Sequence, residues 1–362
     1  MFHLGLYGCG NRTRALVNSL ILDKFYDVGA LFDLDTAAME KTQAQFGGKI
    51  CRTEDELADC KDIDAFLISL SPFAHEAALR KVIPLGKPVF VEKPVAFSSK
   101  TVRELAELAD RYHTPVQVGF MRRYCPWTEA ALEYQKTHDP GRLLCVKANW
   151  HHQGDTEMLY FLRNRPDNFR LKVSQIPFHC CHALDVVLLH GGKLKKLRAE
   201  LLKVTERPYP SPDELLSTFE FQNGTLGAFH YSSMCYGFGE ISYMIHAENY
   251  SIRINGGITE ISHRPEFETS RQGFENNCVT AYRINSSPTK LTFGEKNESS
   301  TTEKIMFDFV RTVTEGMKPK ADLYTALRVE GMAEAMEYSG HHGGITLTMD
   351  ELGCPVFPDE KK

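Results

Sequence analysis

The sequence predicts an α/β domain on a parallel sheet, followed by an α+β domain built on a mostly antiparallel sheet. Three observations carry this. Over the first 120 residues short apolar runs alternate with amphipathic helical stretches, the pattern that builds βαβ units. A Gly8-Cys9-Gly10 turn separates the first apolar run from the first helical stretch. After Phe120 the texture changes to alternating runs joined by short turns such as Asn223-Gly224, a hairpin signal. At about 150 residues per domain, 362 residues give roughly 2.4 domains. Two are expected, divided as 1–121 and 122–362.

In the first domain the predicted strands are 2–7, 28–32, 65–70, 89–91 and 116–120, with helices between them. Asp35-Thr36 caps a helix ending near Gly47-Gly48, and Ser98-Ser99 caps the Glu-, Leu- and Ala-rich run to Tyr112. A helix starting near Pro72 stops at Gly86-Lys87-Pro88. In the second domain, 126–138 reads as helix, and 143–150, 215–221, 225–232, 240–246 and 251–254 as strands. Helices over 303–315 and 323–338 close the fold, residues 295–302 read as an exposed loop, and the chain after Cys354 as a loose tail. No internal repeat or low-complexity segment occurs.

Composition narrows the classes. With 42% hydrophobic and 25% charged residues the chain matches a soluble globular protein, which excludes disordered, collagen-like and disulfide-scaffold classes. A net charge of −5 disfavours wholesale binding to nucleic acid or an anionic membrane. Ten cysteines without a C-x-x-C pair indicate reduced, cytoplasmic usage. Met1 to Tyr7 lacks the basic region and cleavage site of a signal peptide, and no run approaches the ~20 apolar residues of a membrane span.

Gly8-Cys9-Gly10-Asn11-Arg12-Thr13 follows a predicted strand and opens a predicted helix, the context that gives a glycine fingerprint meaning. The two glycines permit a tight turn and let backbone N–H groups approach a pyrophosphate at the helix amino end. Thr13 stands where a third glycine usually sits, so helix and strand pack slightly further apart. The second strand ends in Asp33, 23 residues beyond Gly10 and near the ~20 expected for an acid accepting the ribose hydroxyls. That carboxylate repels a 2′-phosphate and favours NAD over NADP, although Arg12 and Arg14 can offset the repulsion. The bland alternatives are a tight turn without ligand and a helix-capping Asp33.

Ser71-Pro72-Phe73-Ala74-His75 and Gly86-Lys87-Pro88-Val89-Phe90-Val91-Glu92-Lys93-Pro94, taken with the glycine motif, resemble the Gfo/Idh/MocA oxidoreductases. The likeness continues through Gly119 to Tyr124, His182-Ala183-Leu184-Asp185 and Phe219 to Gly224, and spans roughly residues 1–345. It implies an N-terminal Rossmann domain that binds NAD and a C-terminal open-faced sheet used for oligomer contacts, giving a homodimer or homotetramer. It also implies redox chemistry on sugars, cyclitols or related polyols.

Lys93 lies just past a parallel strand, in the crevice where open α/β sheets bind ligands. Oxidising a secondary alcohol needs a group to hold the hydroxyl proton, and a lysine whose pKa falls through burial or a neighbouring cation can do so. The resemblance gives Lys93 that role, with Glu92 holding its ammonium, and matches His182 to the family's catalytic histidine. Asp185, one turn on, either orients that imidazole or stabilises the helix. Gly8, Gly10, Asn11, Arg12, Asp33, Ser71, His75 and Glu92 are expected around the dinucleotide. Many members place an Asp four residues before the histidine; here that position is Phe178, which removes one acceptor for a substrate hydroxyl. Other branches carry a Lys-Cys-Cys-His-like segment, similar to His179-Cys180-Cys181-His182 with His179 for the lysine. His179, His152, Arg123, Arg163 and Lys172, with His151 and Arg165 nearby, are candidate substrate contacts.

Sharper alternatives fare worse. His179-x-x-His182 has helical metal-ligand spacing, but no second spaced pair appears, so no metal is expected. Adjacent Cys180 and Cys181 read as small buried hydrophobes rather than nucleophiles. Arg122-Arg123-Tyr124 with Trp127 mixes basic and aromatic residues like a single-strand platform, but the cluster is short and the net charge negative. The expected function is an NAD-dependent oxidoreductase exchanging a hydride with a ring carbon of a sugar, glycoside or cyclitol, with Lys93 and His182 as acid/base pair. The alternatives are a redox-neutral NAD-dependent glycosidase of the same fold and a non-catalytic nucleotide or sugar sensor acting on a protein partner.

Overall fold

The computed structural model describes residues 1–20, 24–152, 173–206, 210–235, 239–255, 258–263, 289–291 and 301–358. The first domain runs β1 (Phe2–Tyr7), α1 (Asn11–Leu20), β2 (Tyr26–Phe32), α2 (Thr36–Phe46), β3 (Lys49–Ile50), α3 (Glu54–Ala58), β4 (Ala65–Ile68), α4 (Pro72–Val82), β5 (Val89–Val91), α5 (Ser99–Tyr112) and β6 (Val116–Val118). Its six strands are parallel, in the order β3-β2-β1-β4-β5-β6. The order reverses between β1 and β4, and such a switch point opens a crevice at the strands' carboxyl ends. Strands β4 and β5 are buried at every position, as strands covered by helices on both faces must be.

The expected caps resolve differently at two helices. Asp35 caps α2, accepting from the Ala38 amide at 3.1 Å. Ser98 precedes α5 without using its hydroxyl as a cap. Instead Glu334, 235 residues away in sequence, accepts the Ser99 amide at 2.9 Å.

The second domain contains α6 (Pro126–Thr137), β7 (Leu143–His151), a π-turn (Ile176–Cys180), α7 (Cys181–Gly191), β8 (Leu194–Leu202), β9 (Glu214–Phe221), β10 (Leu226–Ser232), β11 (Glu240–Ala247), β12 (Tyr250–Asn255), β13 (Ile258–His263) and β14 (Thr289–Leu291). It ends with α8 (Thr301–Glu315), α9 (Leu323–His341), β15 (Leu347–Met349) and β16 (Pro355–Val356). The described strands form one sheet in the order β14-β13-β12-β11-β7-β10-β9-β8-β15-β16. The β7–β10 pair is parallel and the other described pairs are antiparallel.

Strand β8 was not expected, because Lys193, Lys195, Lys196 and Arg198 mask its alternation; Leu194, Leu197 and Ala199 are the buried positions. The tail expected to be loose after Cys354 pairs instead, Met349 facing Pro355 and Thr348 facing Val356. Asp350 prepares that turn by accepting from the Leu352, Gly353 and Cys354 amides, each at 2.9 Å. Of the expected loop 295–302, residues 295–300 lie outside the described residues, and Thr301 and Thr302 open α8.

Helix α8 returns the chain to the first domain. Its apolar face, Ile305, Met306, Phe309 and Val310, joins the core formed by β1, α1 and β2. Gln117 donates to the Ile305 carbonyl at 2.9 Å, and the Val118 amide to the Ala321 carbonyl at 2.8 Å. Helix α7 is buried along most of its length against the inner face of the large sheet. Among the described residues no helix is long and apolar enough to cross a membrane.

Asp185, fully buried in α7, accepts three hydrogen bonds from Arg123 at 2.7–2.9 Å, and Arg123 also donates to the Lys320 carbonyl. The pair ties the segment leaving the first domain to α7. Asp185→Ala leaves a nearly buried guanidinium without its carboxylate and is expected to cost about 3–5 kcal/mol, measured by urea denaturation against wild type; a loss under about 1 kcal/mol would remove this tie from the fold's supports.

Candidate active site

The glycine turn is shaped by what its neighbours exclude. Gly8 has φ +93°, and a Cβ there would run into the Ser69 carbonyl. A Cβ on Gly10 would meet nothing within 4 Å, so this face of the turn is open toward the crevice. That is the room a pyrophosphate needs against backbone N–H groups at a helix amino end. Thr13, in place of a third glycine, is fully buried under the turn.

Asp33 reaches back into this loop. One carboxylate oxygen accepts the Cys9 amide at 2.6 Å and the other the Asp35 amide at 2.9 Å. Its carboxylate is thus held at the end of β2, beside the glycine turn. The two arginines are both engaged elsewhere. Arg14 donates to the Cys9 carbonyl at 2.5 Å and to the Asn11 side chain. Arg12 pairs with Glu92 at 2.6 Å.

Glu92 therefore does not hold the Lys93 ammonium as expected. It is buried, takes the Arg12 guanidinium on one oxygen and the Lys93 amide on the other at 3.2 Å. Gly119 makes room for it, since a Cβ there would press on the carboxylate. The Lys93 ammonium instead donates to the Phe178 carbonyl at 2.9 Å and lies 4.8 Å over the Phe178 ring.

His75 corrects another expectation. It is buried, and its Nδ1–H donates to the Pro94 carbonyl at 2.8 Å, so it braces the Lys93 loop rather than lining the crevice. Burial holds its pKa below the ordinary histidine value. Ser71 is half-buried just before α4, with its hydroxyl not used as a cap.

Two residues that sequence reasoning missed hold the same loop. Glu330 of α9 accepts the Val95 amide at 2.6 Å and the Ala96 amide at 3.0 Å, and Glu334 accepts that of Ser99. The available signal was a glutamate standing among the apolar positions of a helix, Val329-Glu330-Gly331-Met332-Ala333. Burial pushes Glu330 up to about 8, with the two amide donors pulling the other way.

His182 opens α7 with its ring stacked on Trp150, 6.5 Å between centroids and 19° between planes. Arg122 lies 4.9 Å over the same indole. The His182 Nδ1 is buried and has no hydrogen-bond partner among the described residues. Burial, and then the positive charges of Lys93, Arg122, His179 and Arg12, hold its pKa well below the ordinary histidine value. The imidazole is neutral at pH 7 and able to accept a proton.

Asp185 does not orient that ring, because its carboxylate is consumed by Arg123; neither residue of this buried pair is placed as a substrate contact. His152 and His179 gather on the His182 side, 6.5 Å between ring centroids, with His152 also against Tyr231. His151 points to the opposite face of the sheet, bonded to His230, which in turn reaches Glu214. Arg163, Arg165 and Lys172 lie outside the described residues. Cys180 and Cys181 are buried and their thiols are pushed up, Cys181 to about 12, so neither supplies a thiolate at neutral pH. Among the described residues no three His, Cys, Asp or Glu side chains gather as a metal site.

A glycine turn with an acid at the end of the second strand is the arrangement of a dinucleotide-binding fold, and Lys93 and His182 lie beyond it. Residues 2–120 match the family described as oxidoreductase family, NAD-binding Rossmann fold. It is similar to the rhizopine catabolism protein MocA of Rhizobium meliloti, 27% identical over 34% of this chain and 39% of that protein. It is also similar to an inositol 2-dehydrogenase of Arthrobacter sp. (strain FB24), 29% identical over 35% of this chain and 37% of that protein. The matches thus span about two fifths of the length of these curated relatives. Over the whole chain the fold is that of levoglucosan dehydrogenase, solved with NADH and L-sorbose, at TM-score 0.82, 15% identity and coverage of 98% and 100% of the two chains. The WlbA dehydrogenase from Bordetella pertussis, solved with NADH and UDP-GlcNAcA, gives TM-score 0.78 at 16% identity, covering 98% of each chain.

The Glu330 clamp has a measurable pH signature. Its folded pKa of about 8 lies above its ordinary 4.5, so the stability it contributes is complete below about 4.5 and is lost as pH rises through 8. In urea denaturation from pH 5 to 9, wild type is expected to lose stability relative to Glu330→Gln over that window; parallel profiles would show that Glu330 titrates alike in folded and unfolded chains.

Proposed function

We propose that this chain is an NAD-dependent oxidoreductase that exchanges a hydride with a ring CH–OH carbon of a sugar, glycoside or cyclitol. The observation that carries the reading is the convergence of Lys93 and His182. The Lys93 ammonium is bonded to Phe178 in the turn that leads into α7, and its charge is one of those that keep His182 neutral. When bound, the nicotinamide supplies the hydride acceptor. The Lys93 ammonium holds the substrate oxygen by a hydrogen bond, and passes a proton to neutral His182 as it takes the one the hydroxyl loses. Gly8 and Gly10 leave the room for the pyrophosphate, Asn11 and Arg12 flank it, and Ser71 and Glu92 border the crevice. His179 and His152 are the described candidates for the substrate's other hydroxyls.

Asp33 sets the cofactor. With Arg12 committed to Glu92 and Arg14 to the Cys9 carbonyl, neither guanidinium offsets the repulsion between Asp33 and a 2′-phosphate. Nine free cysteines among the described residues support a reducing, cytoplasmic setting. The outer face of the large sheet, with Leu202, Leu216, Leu226 and Ile258 each more than two-fifths exposed, supports pairing of copies into a homodimer or homotetramer.

One observation favours a second reading, the redox-neutral glycosidase. Phe178 puts an apolar wall with Val173 and Phe97 where many members of the resembled family carry an Asp, and Phe73, 53% exposed, lies tilted against Phe97 with ring centroids 5.1 Å apart. Such a wall suits the apolar part of a glycoside better than a free polyol.

A screen with NAD and NADP over sugars, inositols, uronates and glycosides separates the readings. Steady NADH formation supports the dehydrogenase, and aglycone release without net NADH the glycosidase. Lys93→Ala is expected to lower kcat by about 10²–10⁴-fold while isothermal titration shows NAD affinity unchanged; full turnover in that variant removes Lys93 from the chemistry. Wild type is expected to prefer NAD in kcat/KM and Asp33→Ser to narrow the preference, whereas a wild type that prefers NADP would contradict the role of Asp33.

A further inference from the structure

Away from the crevice, the carboxyl end of α7 and the amino end of α9 meet over a cavity of about 400 Å³. Five cationic side chains line it, Arg123, Lys193, Lys318, Lys320 and Arg328, against a single carboxylate, Asp322. Arg123 is neutralised by Asp185 behind the wall. Asp322 is divided between Lys318, at 3.2 Å, and the start of α9, where it accepts from the Thr325 amide and hydroxyl at 2.9 and 3.0 Å.

Three cations are left over. Among the described residues no carboxylate comes within ion-pair distance of Lys193, Lys320 or Arg328. Lys320 rests its ammonium 4.9 Å over the Tyr124 ring. Arg328 has its stem against Gly353, and its guanidinium makes one long hydrogen bond, 3.5 Å to the Thr325 hydroxyl. Burial is the main cause that holds the Arg328 pKa below its ordinary value; Arg123 adds to it, while Asp322 and Asp185 act the other way.

A half-buried guanidinium with donors unspent, two further ammonium groups and an open volume make a receptor for a compact anion with several acceptor oxygens. We propose that this cavity binds a small phosphate dianion, as inorganic phosphate or a phosphate monoester, through Arg328, Lys193 and Lys320. The site is separate from the glycine turn and from the Lys93 crevice. His182 and Gly192 stand at opposite ends of α7, about 15 Å apart at 1.5 Å per residue. It is nonetheless joined to the crevice, because Arg328 precedes by two residues the Glu330 that clamps Val95 and Ala96, and Arg123 anchors the His182 helix.

The test is isothermal titration of the full chain with inorganic phosphate, repeated with glycerol phosphate, with sodium chloride at matched ionic strength, and in saturating NAD. Saturable phosphate binding is expected, undiminished by NAD and absent with chloride. Arg328→Gln and Lys193→Gln are each expected to weaken it at least tenfold, with Arg328→Lys intermediate. Lys193 is exposed, so its variant keeps the fold if loss of the Arg328 packing does not. Glycerol phosphate binding as tightly as phosphate identifies a monoester ligand, and its exclusion while phosphate binds identifies free phosphate. Binding that NAD abolishes would place the phosphate at the glycine turn and overturn the proposal, as would binding unchanged in both Gln variants or reproduced by chloride. Because the readout is phosphate and not turnover, its failure leaves the oxidoreductase reading standing.

Discussion

The structure turns on one clamp: the two oxygens of the Glu330 side chain accepting two successive amides of the chain that follows Lys93 and Pro94. A loop leaving a parallel strand exposes backbone N–H groups that must find acceptors once buried. Here the acceptors arrive from a helix 235 residues further on. The same loop is held by His75 at the Pro94 carbonyl, by Glu92 at the Lys93 amide and by the Phe178 carbonyl at the ammonium. Each contact comes from a different element. The position of Lys93 is therefore a property of the assembled fold, and the closing helix α9 is part of the crevice's support.

Charge around the crevice is arranged by pairing rather than by net sign. Glu92 and Asp33 neutralise or cap the groups of the glycine turn, while Lys93 and Arg122 remain near His182. Burial and the neighbouring cations hold this imidazole in its neutral form. The far end of the same helix shows the opposite balance, five cations against Asp322 and Asp185, and that surplus is what an anion can satisfy. The net charge of −5 for the whole chain describes neither place.

Where sequence reading departs from the structure, the reason is range. The alternation of β8 is obscured by the basic side chains of Lys195, Lys196 and Arg198, and the final strand β16 has too few residues to show a period. Asp185 was legible as one turn beyond His182 but not as the partner of Arg123, which lies 62 positions earlier. Glu92 sits beside Lys93 in sequence, yet its carboxylate turns to Arg12, 80 positions away. His151 and His152 look alike in sequence; strand alternation sends them to opposite faces.

The sequence by itself determined the βαβ alternation of the first domain, the open glycine turn, Asp33 at the end of β2, and the change to an antiparallel sheet after Phe120. These are legible because each depends on contacts within a turn or on the period of a single element. Packing alone sets the partners of Arg12 and Arg14, the bracing of the Lys93 loop by His75 and Glu330, the neutral form of His182, and the three cations facing a cavity whose one carboxylate, Asp322, is paired with Lys318. Buried charges and amides are satisfied by whatever the packing brings to them, and those partners come from elements tens to hundreds of residues apart.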